Sequence, residues 1–291
     1  MKRKSTLLAI LVLCSAVVAL HAEDRTLIQN KGSDTLVNVA QAWAEAYSKI
    51  DPEVAVAVSG GGSGTGIAAM INGTVHIANA SRKMKQSEID QAMERNQTPV
   101  EHVVGYDALA VYVHADNPVK SFSIEQLKKI YARGQEFVNW SDLGLDVPGC
   151  KGNEIVVVSR QNNSGTYVYF KEAVLGEKGK YRQGTLDMHG SKDVVDLVEK
   201  TPCAIGYSGL AYATDHIKMA CISPDGKDEC VNASVATASD RSYPIARPLF
   251  MYTDGEPKDE IKTYLDWILS DEGQCIIQEK GYAPVRAVKC E

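Results

Sequence analysis

Residues 155–166 read Ile-Val-Val-Val-Ser-Arg-Gln-Asn-Asn-Ser-Gly-Thr, an apolar β-branched run followed by a polar loop. An amphipathic segment continues from Thr166 to Leu175. This order predicts a strand, a tight loop and a helix. Unpaired backbone N–H groups and the positive end of a helix dipole meet in such a loop. Together with Arg160, Ser164 and Thr166 they predict a cradle for a tetrahedral oxyanion.

The rest of the chain repeats this alternation of strand and helix. Apolar runs at 26–29 and 54–58 predict strands, and the periodic pattern over 34–50 predicts a helix. A β-α-β-α order implies a mainly parallel α/β sheet. Two longer apolar runs, 103–114 and 243–253, would carry the chain from one lobe to another and back, which leaves a cleft for a ligand.

Two more loops share the composition of the first. Residues 32–36, Gly-Ser-Asp-Thr-Leu, and residues 59–66, Ser-Gly-Gly-Gly-Ser-Gly-Thr-Gly, each join a predicted strand to a predicted helix. A single hydroxyl-rich loop of this kind is usually only a helix cap. Three of them converging on one cleft would instead surround an anion with hydrogen-bond donors.

Two charged residues stand beside these loops. Arg82 follows the apolar run 75–78 and either adds positive charge to the site or is a solvated loop arginine next to Lys83. Asp107 lies inside an apolar run, where an unpaired carboxylate is costly. It forms a buried salt bridge, caps a turn, or accepts the proton of the ligand. Phosphate near neutral pH carries such a proton and sulfate does not, so the last role would select phosphate.

Signatures of other functions are weak. Residues 64–69 fit a dinucleotide-binding fingerprint, but no acid follows the next strand to bind a ribose. No lysine follows the glycines as in a phosphate loop, and Thr65 stands where a nucleophile elbow around Ser63 requires glycine. No cofactor and no metal site are expected.

The first 22 residues predict export. Three cations, Lys2 to Lys4, precede an apolar run from Leu7 to Leu20 and a small residue at Ala22, as in a cleaved secretory signal. The alternatives are an uncleaved anchor, although the run is shorter than a spanning helix needs, and a lipoprotein acylated at Cys14, although Leu13 is larger than that motif prefers.

Charge and cysteine content fit an exported protein that does not bind nucleic acid. Without the three signal cations, 28 basic side chains face 37 acidic ones, a net charge of −9. Six cysteines remain after Cys14 and favour disulfides. Sequence alone cannot choose among their pairings, but nearest neighbours would give Cys150–Cys203, Cys221–Cys230 and Cys275–Cys290. A zinc site is the alternative, without the usual ligand spacing.

The spaced motifs together resemble those of the phosphate-binding protein of the bacterial phosphate ABC transporter, the PstS family. The resemblance covers nearly all of the mature chain. Its strongest parts are residues 32–36, 60–73, 77–82, 159–166, 204–207 and 247–249. The family implies an α/β fold of two lobes, the type II periplasmic-binding fold, with mixed sheets flanked by helices and a two-strand hinge. The predicted bounds are 1–22 for the signal peptide, 23–105 for the first part of lobe I, 106–244 for lobe II, and 245–291 for the return to lobe I and the C-terminal helices.

The resemblance also implies a set of phosphate ligands. Hydroxyls, backbone N–H groups and arginine are its donors, and the full set is Thr35, Leu36, Ser63, Ser81, Arg82, Asp107, Arg160, Ser164, Gly165 and Thr166. One position departs from the best-known members, which have a proton-accepting aspartate where this chain has Arg82. We therefore expect Arg82 to add a cation and Asp107 to supply the acceptor from the opposite lobe.

The function expected from the resemblance is binding without chemistry. A monomeric periplasmic receptor would capture inorganic phosphate between its lobes and deliver it to ABC permease subunits, with no stable membrane insertion. The alternatives are an exported phosphoryl hydrolase with a serine nucleophile and a phosphate sensor that has no permease.

Overall fold

The computed structural model describes residues 25–134, 137–226 and 229–290. The predicted signal peptide lies outside these residues. The strands are β1 (Thr26–Gly32), β2 (Val54–Ser59), β3 (Ile77–Ala80), β4 (Pro99–His114), β5 (Ser121–Ser123), β6 (Val156–Arg160), β7 (Leu186–Met188), β8 (Ala204–Gly209), β9 (Ile217–Ser223) and β10 (Ala246–Asp254). The helices are α1 (Val37–Ile50), α2 (Ser63–Ile71), α3 (Gln86–Glu94), α4 (Ile124–Tyr131), α5 (Gly165–Phe170), α6 (Ser191–Lys200), α7 (Val235–Ser239), α8 (Asp259–Ile268) and α9 (Asp271–Glu279).

The sheet is mixed rather than mainly parallel. Its strand order is β2-β1-β3-β10-β4-β8-β6-β7, and β9 pairs with β4 and β5. The β-α-β units give parallel pairs, β1 with β2 and β3, and β6 with β7 and β8. The long strands β4 and β10 run antiparallel to all their neighbours within the described chain. The alternation of strand and helix could not reveal this reversal, because it depends on which strand returns beside which.

Strand β4 connects two halves of the sheet. Its first part, up to Ala108, pairs with β10, and its last part, from Leu109, pairs with β8 and β9. We call β1, β2, β3, β10 and the first part of β4 the first half, and the last part of β4 with β5 to β9 the second half. Strand β4 therefore crosses where the sequence predicted a crossing, while the lobe bounds 23–105, 106–244 and 245–291 stay a prediction.

Each half has its own apolar core. In the first half, α1, α8 and α9 pack on one face of the sheet around Trp43, and α2 and α3 pack on the other around Met70. The second half surrounds Trp140 and the stacked rings of Phe170 and Tyr207. No described helix is both long enough and apolar enough to cross a membrane.

The six described cysteines pair as the nearest-neighbour prediction has them. Cys150 bonds to Cys203, Cys221 to Cys230 and Cys275 to Cys290, with Cα–Cα distances of 4.8, 5.4 and 5.5 Å. The zinc alternative is wrong for these residues, since each thiol is used in a disulfide.

Candidate functional site

Three helices begin in the three hydroxyl-rich loops. Helix α1 follows Leu36, α2 begins at Ser63, and α5 begins at Gly165. Ser164 is the N-cap of α5, and its hydroxyl accepts the N–H of Thr166 at 3.1 Å. The predicted strand-loop-helix geometry is thus present in all three loops.

Five hydroxyls from these loops and from the end of β3 form a cluster, which we call the hydroxyl cluster: Ser33, Thr35, Ser63, Ser81 and Thr166. The Ser81 hydroxyl lies 3.0 Å from that of Ser33 and 3.3 Å from that of Ser63. Thr35 and Thr166, from opposite halves of the sheet, have their hydroxyl oxygens 3.0 Å apart. All five side chains are at most 2% exposed. Because a hydroxyl can donate or accept, such a cluster can turn its donors towards an anion.

Glycine permits the close approach of the loops from the two halves. A Cβ on Gly165 would collide with the hydroxyl oxygens of Ser63 and Ser81. A Cβ on Gly62, whose φ is +93°, would lie 2.8 Å from the carbonyl oxygen of Asn163. The same two loops are joined by a backbone hydrogen bond of 2.9 Å from the N–H of Gly64 to that carbonyl. The absence of a side chain at both glycines therefore allows the α2 and α5 loops to pack against each other.

Arg247 and Asp107 form a buried ion pair beside the hydroxyl cluster. They are register partners on β10 and β4, at the point where β4 leaves β10. The Nη2 and Nε atoms of Arg247 lie 2.7 and 3.0 Å from Oδ2 of Asp107, and neither side chain is more than 1% exposed. Arg247 also donates to the Thr35 hydroxyl and to the Ser81 carbonyl, each at 3.2 Å. The pair therefore links the crossing strands to the hydroxyl cluster.

Burial raises the pKa of Asp107 above its usual value, although the charge and hydrogen bonds of Arg247 and the N–H of Leu210 act to lower it. The N–H of Leu210 lies 3.2 Å from Oδ1. Of the alternatives for this residue, the salt bridge is present. Oδ1 keeps acceptor capacity beyond that bond, so a proton-accepting role remains compatible with the geometry.

Arg160 is buried at the end of β6 and is hydrogen-bonded on several sides. Its Nη2 donates to Oδ2 of Asp34 at 2.9 Å and to the His189 carbonyl at 2.7 Å, and its Nη1 donates to the Ser191 hydroxyl at 2.9 Å. Burial lowers the pKa of Arg160, and Asp34 acts in the opposite direction. The partner carboxylate comes from the opposite half of the sheet.

Arg82 is paired with a carboxylate, Glu88 of α3. Its guanidinium binds Glu88 through two hydrogen bonds, Nη1 to Oε2 at 2.8 Å and Nη2 to Oε1 at 2.7 Å. The side chain is 6% exposed, so it is not a solvated loop arginine. Its Nε is buried without a hydrogen-bond partner among the described residues. The expected extra cation is therefore present, but it is paired with a carboxylate of α3.

All ten predicted ligand residues are buried, and nine of them lie in or beside the three loops and the Arg247–Asp107 pair. The tenth, Arg82, is paired with Glu88, and its Nη2 lies 3.8 Å from where a Cβ on Gly64 in the α2 loop would be. The N–H of Leu36 already donates to the Ser33 carbonyl at 3.1 Å. Three residues given no role from the sequence also belong to the site: Ser33, Asp34 and Arg247. The signal for Arg247 was a single cation within the apolar run 243–253, comparable to the isolated Asp107.

Comparison with known proteins identifies the family of this chain. A model of the PBP superfamily domain matches residues 19–272. The chain is 34% identical over 276 residues to the phosphate-binding protein PstS of Pseudomonas aeruginosa, which covers 91% of this chain and 84% of that protein. The chain belongs to the PstS family. The PstS of Bacillus subtilis is 33% identical, with 89% of this chain and 80% of that protein covered.

Solved structures place this PstS-family chain in the same fold. One, with bound phosphate, is a substrate-binding protein assigned to a phosphate ABC transporter of Clostridium perfringens. It is 30% identical, with a TM-score of 0.79, and the match covers 90% of this chain and all of that one. An ABC-type phosphate transport receptor from Vibrio cholerae is 26% identical, with a TM-score of 0.69 and coverage of 88% and 99%. The two-lobed type II fold predicted from the sequence is confirmed.

Proposed function

We propose that this chain is an exported receptor that binds inorganic phosphate at the hydroxyl cluster and delivers it to an ABC permease. The observation that carries the proposal is the convergence of five buried hydroxyls on the Arg247–Asp107 pair, with donors from both halves of the sheet. The names of the relatives, phosphate-binding proteins and phosphate transport receptors, support the same ligand.

The charges of the site favour recognition by hydrogen bonds rather than by net attraction. Each of the buried arginines Arg82, Arg160 and Arg247 faces a carboxylate, so the pairs are close to neutral together. A tetrahedral oxyanion would therefore gain most from hydroxyls and from N–H groups at helix starts, whose bonds to a charged group contribute about 1.5–3 kcal/mol each. Asp107 would accept the proton of phosphate and repel sulfate.

Closure of the cleft is the mechanism that we propose. Thr35 and Ser63 belong to the first half and Thr166 to the second, so only the closed form brings these donors together. A ligand that contacts both halves stabilises the closed form over the open one. The permease would then recognise and bind the closed form of the receptor. Location in the periplasm after signal cleavage, a monomeric state and the absence of a chemical step are parts of the proposal.

The test is a calorimetric titration of the mature chain with phosphate and with sulfate. We expect phosphate to bind and sulfate to bind at least about a hundredfold more weakly, because the acceptor on Asp107 is satisfied only by a protonated ligand. Thr166→Val should weaken phosphate binding about tenfold or more through the loss of one donor. Thr263→Val is the matched control, since Thr263 is exposed on α8.

Phosphate binding that is absent from the wild type, or that is unchanged by Thr166→Val, would refute the proposed site. Equal affinities for phosphate and sulfate would refute the role of Asp107. Hydrolysis of a chromogenic phosphate ester by the wild type, and its loss in Ser63→Ala, would favour the hydrolase alternative instead.

A further inference from the structure

Asp34 connects the two halves of the sheet through its side chain. It lies between β1 and α1, and its Oδ2 accepts a hydrogen bond of 2.9 Å from Arg160, which ends β6 in the second half. Its Oδ1 accepts the N–H of Gly61 at 2.8 Å, and its carbonyl accepts the hydroxyl of Tyr212. The side chains of Asp34 and Arg160 are 13% and 1% exposed. The ion pair is thus fixed from both sides and largely shielded from water.

The donors of Arg160 are mostly used by the protein itself. A guanidinium has five N–H groups. Among the described residues, Arg160 makes four hydrogen bonds: Nε to the Met188 carbonyl at 3.4 Å, Nη1 to Ser191, and Nη2 to both His189 and Asp34. One N–H on Nη1 is left for a ligand. While Asp34 accepts a hydrogen bond from Nη2, Arg160 cannot bind an oxyanion in bidentate fashion through both Nη atoms.

The negative charge of Asp34, like its hydrogen bond, weakens the binding of an anion by Arg160. A carboxylate on the arginine cancels much of the attraction that the arginine would exert on an anion. It also repels the ligand itself, and the repulsion grows with each negative charge on the ligand. Burial strengthens both effects, because little water screens the pair. The carboxylate therefore penalises a dianion more than a monoanion.

We infer that Asp34 is a specificity-determining residue, which rests on the proposed phosphate-binding function. By occupying Arg160 across the cleft, it limits both the donors and the positive charge that a ligand meets. The site therefore selects oxyanions that keep a proton and carry a low charge, and it disfavours those that are fully deprotonated. This role is separate from that of Asp107, whose partner is Arg247.

The experiment compares Asp34→Asn with the wild type in calorimetric titrations of phosphate and of sulfate. The asparagine keeps the shape of the side chain and removes its charge. At about pH 6, where phosphate is mostly the monoanion and sulfate is a dianion, we expect the affinity for sulfate relative to phosphate to rise about tenfold or more. Asp34→Glu, which keeps the charge, should stay close to the wild-type ratio. Asp90→Asn is the matched control, because Asp90 is exposed on α3 and pairs with Gln86.

A second measurement needs no variant. Phosphate loses a proton between about pH 6 and about pH 8, as phosphoryl groups generally do near neutrality. The affinity of the wild type for phosphate should fall across this range as the charge of the ligand rises, and the fall should be shallower in Asp34→Asn. A merely structural role for Asp34 would weaken both anions equally and leave the pH profile unchanged.

The outcomes separate this inference from the function on which it rests. A wild type that binds neither anion would refute the proposed function. A wild type that binds phosphate, together with an Asp34→Asn variant whose sulfate-to-phosphate ratio is unchanged, would overturn the role of Asp34 alone. A wild-type phosphate affinity that is flat or rises with pH would also overturn it.

Discussion

At the scale of single residues, the Arg247–Asp107 pair is the charged contact on which the site depends. Both side chains are essentially without solvent exposure. Removal of two charges from water is expensive, and the pair is stable only because several hydrogen bonds satisfy each partner. Arg247 has the Ser81 carbonyl and the Thr35 hydroxyl, and Asp107 has the N–H of Leu210. Loss of either partner would leave the other charge buried and alone.

This predicts a strong energetic coupling between the two residues. Arg247→Gln and Asp107→Asn should each lower the free energy of unfolding by about 3–5 kcal/mol, and the double variant should cost less than the sum of the two. Urea unfolding of the four proteins measures the coupling. Lys262→Gln is the control, since it breaks the exposed Lys262–Asp266 pair and should change stability by less than about 1 kcal/mol. Additive single effects would contradict the account.

The sequence identified one member of this pair more readily than the other. Asp107 stood out as a carboxylate inside an apolar run, and a buried salt bridge was among its expected environments. Arg247 stood in a similar run but received no role, because the pairing of β10 with β4 is a property of the tertiary fold. The partner of Arg82 was equally hidden from the sequence. Its place after β3 was clear, but the orientation of its guanidinium depends on Glu88, which lies six residues later on α3.

At the scale of elements, Arg82 and Glu88 fix the turn between β3 and α3. Oε2 of Glu88 also accepts the N–H of Lys85 at 2.8 Å, which caps the start of α3. Burial acts to raise the pKa of Glu88. The hydrogen bonds from Arg82 and Lys85 and their positive charges lower it by more, so the pKa lies below its usual value. The carboxylate therefore contributes most to stability when it is ionised.

The pH dependence of stability follows from that direction. A folded-state pKa below the unfolded value, which is about 4.3 for glutamate, gives stabilisation that is present above the unfolded pKa and lost as the pH falls through the folded one. Glu88→Gln should lower the free energy of unfolding by about 3 kcal/mol at neutral pH. The difference from the wild type should narrow below about pH 4.

Urea unfolding across this pH range measures the difference. Glu125→Gln is the control, because Glu125 lies in the first turn of α4 with its side chain 73% exposed, and its effect should be small. A difference between Glu88→Gln and the wild type that does not change with pH would show that the ionised carboxylate is not the stabilising form.

The first residues of the helices show where a cap pattern in the sequence was enough to locate a helix start. Ser123 and Gln126 have the sequence spacing of a capping box, and the structure contains it. The Ser123 hydroxyl accepts the N–H of Gln126 at 3.1 Å, and the Gln126 side chain accepts the N–H of Ser123 at 2.8 Å. Ser87, with an acid three residues later at Asp90, has the sequence pattern of a helix cap, but the cap does not lie there. The N-cap of α3 is Lys85, two residues earlier, because Glu88 rather than Asp90 caps the helix. The sequence could not show that Glu88 would also be held in place by a buried arginine.

At the scale of the whole molecule, the site exists only because two halves of one sheet meet. Strand β4 belongs to both halves, and β10 returns beside it with Arg247 opposite Asp107. The alternation of strands and helices predicted the fold class and the crossing. It did not predict the antiparallel pairing of β4 and β10. Convergence of the three loops was expected, but not which side chains pair between them, such as Asp34 with Arg160. Those contacts depend on the closed arrangement of the two halves.

The most direct test of the account is a crystal structure of the mature chain with phosphate. We predict a single tetrahedral ligand that contacts hydroxyls of the cluster from both halves, Ser63 and Ser81 on one side and Thr166 on the other, with Arg247 still paired to Asp107. Phosphate bound outside the cluster, or bound by residues of one half only, would contradict the proposed binding site between the two halves.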